Sequence, residues 1–211
     1  MRIAILVYGR LNKCAEHYNN ILEHIGKQNV IDFFLSSDNS SENLLNDFIH
    51  LYKPILYNND PIKYDCDLTK YPYTRPETND QCIQRMTCHF INKYRVFSLL
   101  EEHMNIKNVR YDVVVSLRID LVFQNSFDFN NLLDNTIYIP VGCDYAPNAI
   151  NDQIAYGKID VMKKYNSIFL NVIDLLEKNL TIPHPESITY ANICFYKLQI
   201  ERVNLKYNID R

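Results

Sequence analysis

Short apolar runs and helical stripes follow one another in regular alternation through the first quarter of this chain. Residues 2–8 (R-I-A-I-L-V-Y) form an apolar run stopped by Gly9-Arg10, which predicts a buried strand. Ala15, Tyr18, Ile21, Leu22 and Ile25 then share one helical face, with Gly26 placed to cap the helix C-terminus. Val30–Ser36 predicts a second strand, running into Ser37-Asp38. From Ser41, Leu44, Leu45, Phe48 and Ile49 mark a short amphipathic helix, and Pro54–Tyr57 reads as a weaker third strand. A β-α-β-α-β beginning predicts a parallel, right-handed, doubly wound sheet.

The alternation stops at residues 58–77, a long polar loop containing Tyr64, Tyr71 and Tyr73, and loops of such length often bind ligands. These tyrosines either stack on a ligand or pin the loop to the core. Thr78-Asn79-Asp80-Gln81 has the form of a capping box. It would open a long helix carrying Ile83, Met86, Phe90, Tyr94 and Phe97 on one face. Tyr111–Asp120 (Y-D-V-V-V-S-L-R-I-D) begins as a run of β-formers suited to a strand covered on both faces. It ends in Arg118 and Asp120, charges that cannot enter a core unpaired. Ile137–Val141 predicts another strand, and residues 142–158 read as irregular. One helix is expected to about Lys178, and His184-Pro185-Glu186 starts another with Pro at its first turn. Residues 202–207 close the chain as a strand. The expectation is an α/β fold with a mostly parallel sheet of about six strands between helical layers. Residues 1–211 read as one domain, and the ending just after a strand suggests the N-terminal part of a longer polypeptide.

Composition narrows the function classes. A net charge of −3 provides no basic field for a nucleic-acid backbone, so nucleic acid is not an expected partner. Only four glycines are present, and no glycine-rich phosphate loop occurs. Any phosphate must be met by side chains, a metal or a helix N-terminus. The six cysteines lack metal-site spacing and read as reduced thiols of a cytoplasmic protein, which makes the sequons at Asn39 and Asn179 chance matches. The run Ile3–Val7 is too short for a signal peptide, and no stretch approaches the ~20 apolar residues that cross a bilayer.

In open α/β sheets ligands bind beyond the carboxyl ends of the strands. Gly9-Arg10, Ser37-Asp38 and Arg118/Asp120 would all lie on that rim, collecting guanidiniums, carboxylates and a hydroxyl suited to a metal-bound diphosphate. The bland alternative for Arg118 and Asp120 is a solvated strand end or a mutual ion pair.

A first strand ending in G-R, S-S-D after the second, a hydrophobic strand ending in R-x-D and a later N-D-Q-I-A-Y-G resemble the GT-A glycosyltransferases of large DNA viruses, including the N-terminal glycosyltransferase domains of multidomain chlorovirus capsid-glycan proteins. The resemblance spans essentially the whole chain and implies a GT-A, Rossmann-like three-layer fold. It implies transfer of a hexose or deoxyhexose from a UDP-sugar donor to a glycan acceptor, with Mn²⁺ or Mg²⁺ as cofactor, in the host cytoplasm if the protein is viral. GT-A enzymes mostly carry D-x-D at that strand end; here Arg118 replaces the first Asp. Carried over, Gly9 and Arg10 line the nucleotide pocket, with Ser37 and Asp38 near base or ribose. Asp120 holds the metal and Arg118 pairs with phosphate or donor sugar. Arg85 and Lys93 either assist with phosphate or form a solvated helix face. Asp152, with Asp144 as a weaker substitute, would deprotonate the acceptor or stabilise an oxocarbenium-like centre in a retaining reaction. Its alternative is an Asx turn. His184 would complete the metal shell, and Glu186 would contact a substrate hydroxyl or simply favour a helix start. Two other classes stay open: a non-catalytic glycan- or partner-binding domain of the same fold, and a nucleotidyltransferase, for which L-N-K-C after the first strand is a poor phosphate loop.

Overall fold

The computed structural model describes residues 1–26, 28–38, 40–63, 71, 80–144 and 148–210. The alternation read from the sequence becomes β1 (Arg2–Tyr8), α1 (Cys14–Ile25), β2 (Val30–Ser36), α2 (Glu42–Tyr52) and β3 (Leu56–Asn58). The long helix is α3 (Asp80–Lys107), followed by β4 (Val113–Leu117), β5 (Leu121–Phe123), β6 (Thr136–Pro140) and β7 (Ile154–Gly157). Then come α4 (Ile159–Asn166), α5 (Ile168–Glu177), α6 (Pro185–Phe195), β8 (Gln199–Val203) and β9 (Tyr207–Ile209). Thr78 and Asn79 of the proposed capping box and the tyrosines at 64 and 73 lie outside the described residues.

The main sheet has seven strands in the order β3-β2-β1-β4-β7-β6-β8, and β5 pairs with β9 in a separate ribbon. All neighbours run parallel except β7, which is antiparallel to β4 and β6. The expected six strands are thus seven, because the segment read as irregular contains β7. Ile154-Ala155-Tyr156-Gly157 is buried on both faces, so no two-residue alternation betrays it. The single helix expected before Lys178 is two, divided at Ser167, whose hydroxyl donates to the Lys164 carbonyl at 2.9 Å.

Side-chain parity builds three layers. Ile3, Ile5 and Val7 of β1 pack with Val113, Val115 and Leu117 of β4 against Ile21 and Ile25 of α1 and Phe48 of α2. Ala4, Leu6 and Tyr8 face the other way with Val114, against Val96, Phe97 and Leu100 of α3 and Met162 and Tyr165 of α4. A third cluster joins Ile83, Met86 and Phe90 of α3 to α5 and α6, and Tyr71 packs on it as a pin. Among the described residues no helix is long and apolar enough to cross a membrane.

Candidate functional site: a buried polar cluster at the carboxyl ends of β1 and β4

The register fixes which side chains meet. Val7 is level with Leu117, so the next residues, Tyr8 and Arg118, emerge side by side. Leu117 is opposite Ile154 of antiparallel β7, so the residues entering β7 arrive at the same rim. The Arg118 amide donates to the Gln153 carbonyl at 3.1 Å. Antiparallel β7 is therefore the reason Asp152 reaches the carboxyl end of the central strand. On the α3 side of the sheet, Lys93 and His89 lie one turn apart and face Tyr8.

Asp152 is held through its backbone. Its carbonyl accepts hydrogen bonds from the Tyr8 hydroxyl at 3.0 Å and from the Lys93 ammonium at 2.8 Å. Lys93 also donates to the Tyr165 hydroxyl at 2.9 Å and lies over the Tyr8 and Tyr165 rings. The Asp152 side chain stays unclaimed by these anchors, and its Oδ2 lies 3.3 Å from His89 Nε2. Asn151 Oδ1 accepts the Gln153 amide at 3.0 Å, so the Asx turn belongs to Asn151 rather than Asp152.

Burial sets the electrostatics. It lifts the Asp152 carboxyl above its ordinary value, with the Glu186 charge adding and Lys93 and Arg118 opposing. It pushes Lys93 down to about 8 despite the pull of Asp152. His89 is driven well below the ordinary histidine range by burial, then by Lys93 and Arg118, so it is neutral. Arg118 is part-buried yet firmly cationic, because pairing with Asp120 outweighs its desolvation. An acid with a raised pKa beside a fixed guanidinium is an arrangement found at reacting centres.

The remaining candidates are distributed along the same edge. Arg118 grips Asp120 in a two-point ion pair, Nε to Oδ1 at 3.0 Å and the terminal nitrogen to Oδ2. The Asp120 backbone is fixed by β9, through the Asp210 amide at 2.9 Å. Gly9 takes a left-handed φ of +93° at the end of β1, and exposed Arg10 follows it. Ser37 and Asp38 sit past β2, two strands or roughly 10 Å from β4. Ser37 Oγ bonds Asn59, and Asp38 Oδ1 accepts the Ile62 amide at 2.9 Å. Arg85 is exposed one turn before His89, as a solvated helix face would be, whereas Lys93 is fully buried. His184 Nδ1 lies 3.0 Å from Glu186 Oε2, both buried, and the Glu186 charge reaches Asp152. Asp144 instead binds Arg202 at 2.9 Å and accepts the Asn151 amide at 2.9 Å.

Among the described residues no three His, Cys, Asp or Glu side chains converge, so the protein alone builds no cage for Mn²⁺ or Mg²⁺. Arg118 pairs with both Asp120 oxygens, and His184 faces Glu186 rather than Asp120, so a cation held by Asp120 would have to be shared with a substrate's phosphates. His89, Tyr8 and Tyr165 escaped the sequence reading. His89 and Lys93 are four apart on α3, a spacing that signals only a shared helix face.

The sheet order, the reversed β7 and the helical layers define a GT-A fold. Two solved structures of the galactosyltransferase LgtC are similar in architecture. An active-site mutant of LgtC matches with a TM-score of 0.50 at 13% identity, covering 92% of this chain and 70% of that one. LgtC in complex with donor and acceptor sugar analogues matches with a TM-score of 0.49 at 14% identity, over the same shares of the two chains. No protein-family model matches the chain, and no curated protein sequence matches it.

Proposed function

We propose that this chain is a glycosyltransferase that moves a hexose or deoxyhexose from a UDP-sugar to a glycan acceptor. The observation that carries the reading is Asp152: a buried carboxylate with a raised pKa, anchored by its backbone beside Arg118 at the rim of a GT-A fold. Arg118 offers a planar fork to the diphosphate, and Asp120 keeps that fork oriented until the donor arrives. Gly9 and Arg10 border the nucleotide, with Ser37 and Asp38 two strands further toward the nucleoside. As the bond between the sugar carbon and the diphosphate oxygen breaks, its electron pair leaves with UDP, where Arg118 stabilises the developing charge. The acceptor oxygen bonds to the same carbon, and its proton passes to Asp152. Neutral His89, 3.3 Å away, places no fixed cation at the carboxylate oxygen.

The described donors form no all-protein cage for a divalent cation, and none of these steps runs through one; a Mn²⁺ or Mg²⁺ requirement is decided by assay. Isothermal titration with UDP, in EDTA and in Mn²⁺, tests the reading. UDP binding that weakens at least about tenfold in Arg118→Met supports it. No binding in either buffer, or binding indifferent to Arg118, removes its basis.

A further inference from the structure

A cavity of about 530 Å³ runs along α6. Its floor is a single face of that helix, Ser187, Tyr190, Ala191 and Cys194, at the i, i+3, i+4, i+7 spacing. Leu180, Ile182 and Phe195 form its sides, and Asn148 closes one edge. Leu180 and Phe195 are 58% and 47% exposed, large apolar side chains left at an open groove. Among the described residues no charged side chain lines it, so a phosphate or an acidic sugar has no counter-charge there.

Two observations tie this groove to the site. Glu186, the residue before Ser187, reaches Asp152 with its charge, and its carbonyl accepts the Ile150 amide at 3.2 Å, two residues before Asp152. Ser187 Oγ is buried, borders the groove and has no hydrogen-bond partner among the described residues. A buried hydroxyl left unpaired costs stability unless a ligand or water answers it. From Ser187 to Cys194 the helix extends about 10 Å, enough for one pyranose ring and a short chain behind it. The groove is polar at its Ser187 end, next to Glu186, and apolar beyond.

We propose that this groove is the acceptor subsite and that it takes a glycoside with an apolar aglycone, alkyl or aryl. The proposal rests on the glycosyltransferase reading. The accepting sugar lies at the Ser187 end, with one hydroxyl bonded to Ser187 Oγ and another presented to Asp152. The aglycone runs over Ala191 toward Phe195 and Leu180. Specificity for the acceptor then comes from α6, on a different element from the strand ends that would hold the donor.

The test is titration of the protein, without donor, by n-hexyl and methyl glucopyranosides, galactopyranosides and mannopyranosides, with n-hexanol as control. At least one n-hexyl glycoside is expected to bind about tenfold or more tightly than its methyl counterpart and than n-hexanol. Phe195→Asp and Leu180→Asp, both at exposed positions, should abolish that advantage while leaving UDP-sugar hydrolysis unchanged. Equal binding of hexyl and methyl glycosides overturns the proposal, as does n-hexanol matching the glycoside or an advantage that survives both substitutions. Because the titration needs no donor, a chain inert toward every UDP-sugar would defeat the transfer reading separately from the groove's measured ligand.

Discussion

Replacing Lys93 by Met tests the electrostatics of the site through stability. The ammonium is fully buried and titrates at about 8 rather than 10.5. That difference is worth about 3 kcal/mol against the charged form. Below pH 8 the lysine is protonated in both folded and unfolded chains, so the whole penalty is present. Between about pH 8 and 10.5 the unfolded chain binds a proton that the folded one has lost, and stability rises with pH by up to ~1.4 kcal/mol per pH unit. Methionine fills a similar volume without the charge. It forfeits the bonds to the Asp152 carbonyl and Tyr165, but the Tyr8 hydroxyl still serves that carbonyl. Urea unfolding from pH 7 to 10 reads the difference between the two proteins, in which other titrating groups cancel. Lys93→Met should be as stable as wild type or more so at pH 7, and wild type should gain on it by about 3 kcal/mol as pH rises. Parallel pH profiles, or a variant destabilised by more than about 2 kcal/mol at pH 7, would refute the burial of a charged amine. Turnover should nonetheless fall, because Asp152 loses both a backbone anchor and the cation that favours its carboxylate.

Arg118→Lys keeps the charge but loses the fork, and UDP affinity measured by titration should drop about tenfold; unchanged affinity would dissociate Arg118 from the diphosphate. Gly9→Ala has space for the methyl group but not the conformation, since φ is +93°; thermal unfolding should report a loss of about 1–2 kcal/mol. The raised pKa of Asp152 means its reactive carboxylate is lost on acidification at a higher pH than for an ordinary Asp. The acid limb of kcat/KM should therefore lie above 3.8, the ordinary Asp value, and move further up in Lys93→Met; an acid limb indifferent to Lys93 would show that another group titrates. Turnover assayed in EDTA and then in Mn²⁺ shows whether Asp120 serves a cation: activity in EDTA fits the Arg118-held geometry, and strict Mn²⁺ dependence contradicts it.

The first half of the fold was legible because its strands are long and separated by amphipathic helices. β1 and β2 have the bounds read from their apolar runs, and Gly26 caps α1 as expected. β7 was hidden by its brevity and two-sided burial, although the Asp152 placed ahead of it was singled out from residue type and resemblance. Helix periodicity exposed the face of α3 carrying Phe90 and Phe97, and Lys93, three residues after one and four before the other, falls on it, whereas Tyr94, expected there, is exposed. A lysine is ordinarily solvated, and the tyrosines at positions 8 and 165 together with the Asp152 carbonyl, all remote in sequence, make its burial tolerable. The two-point grip of Arg118 on Asp120 was among the alternatives read from R-x-D, but its geometry depends on the turn after β4.

Sugar transfer through Asp152 is tested most directly by UDP release from a panel of UDP-hexoses and UDP-deoxyhexoses, comparing wild type with Asp152→Asn. Wild type should release UDP from at least one donor, and Asp152→Asn should lower that rate by about 10²-fold or more while UDP still binds. Asp152→Asn turning over at the wild-type rate, or a wild type silent toward every donor, would contradict it.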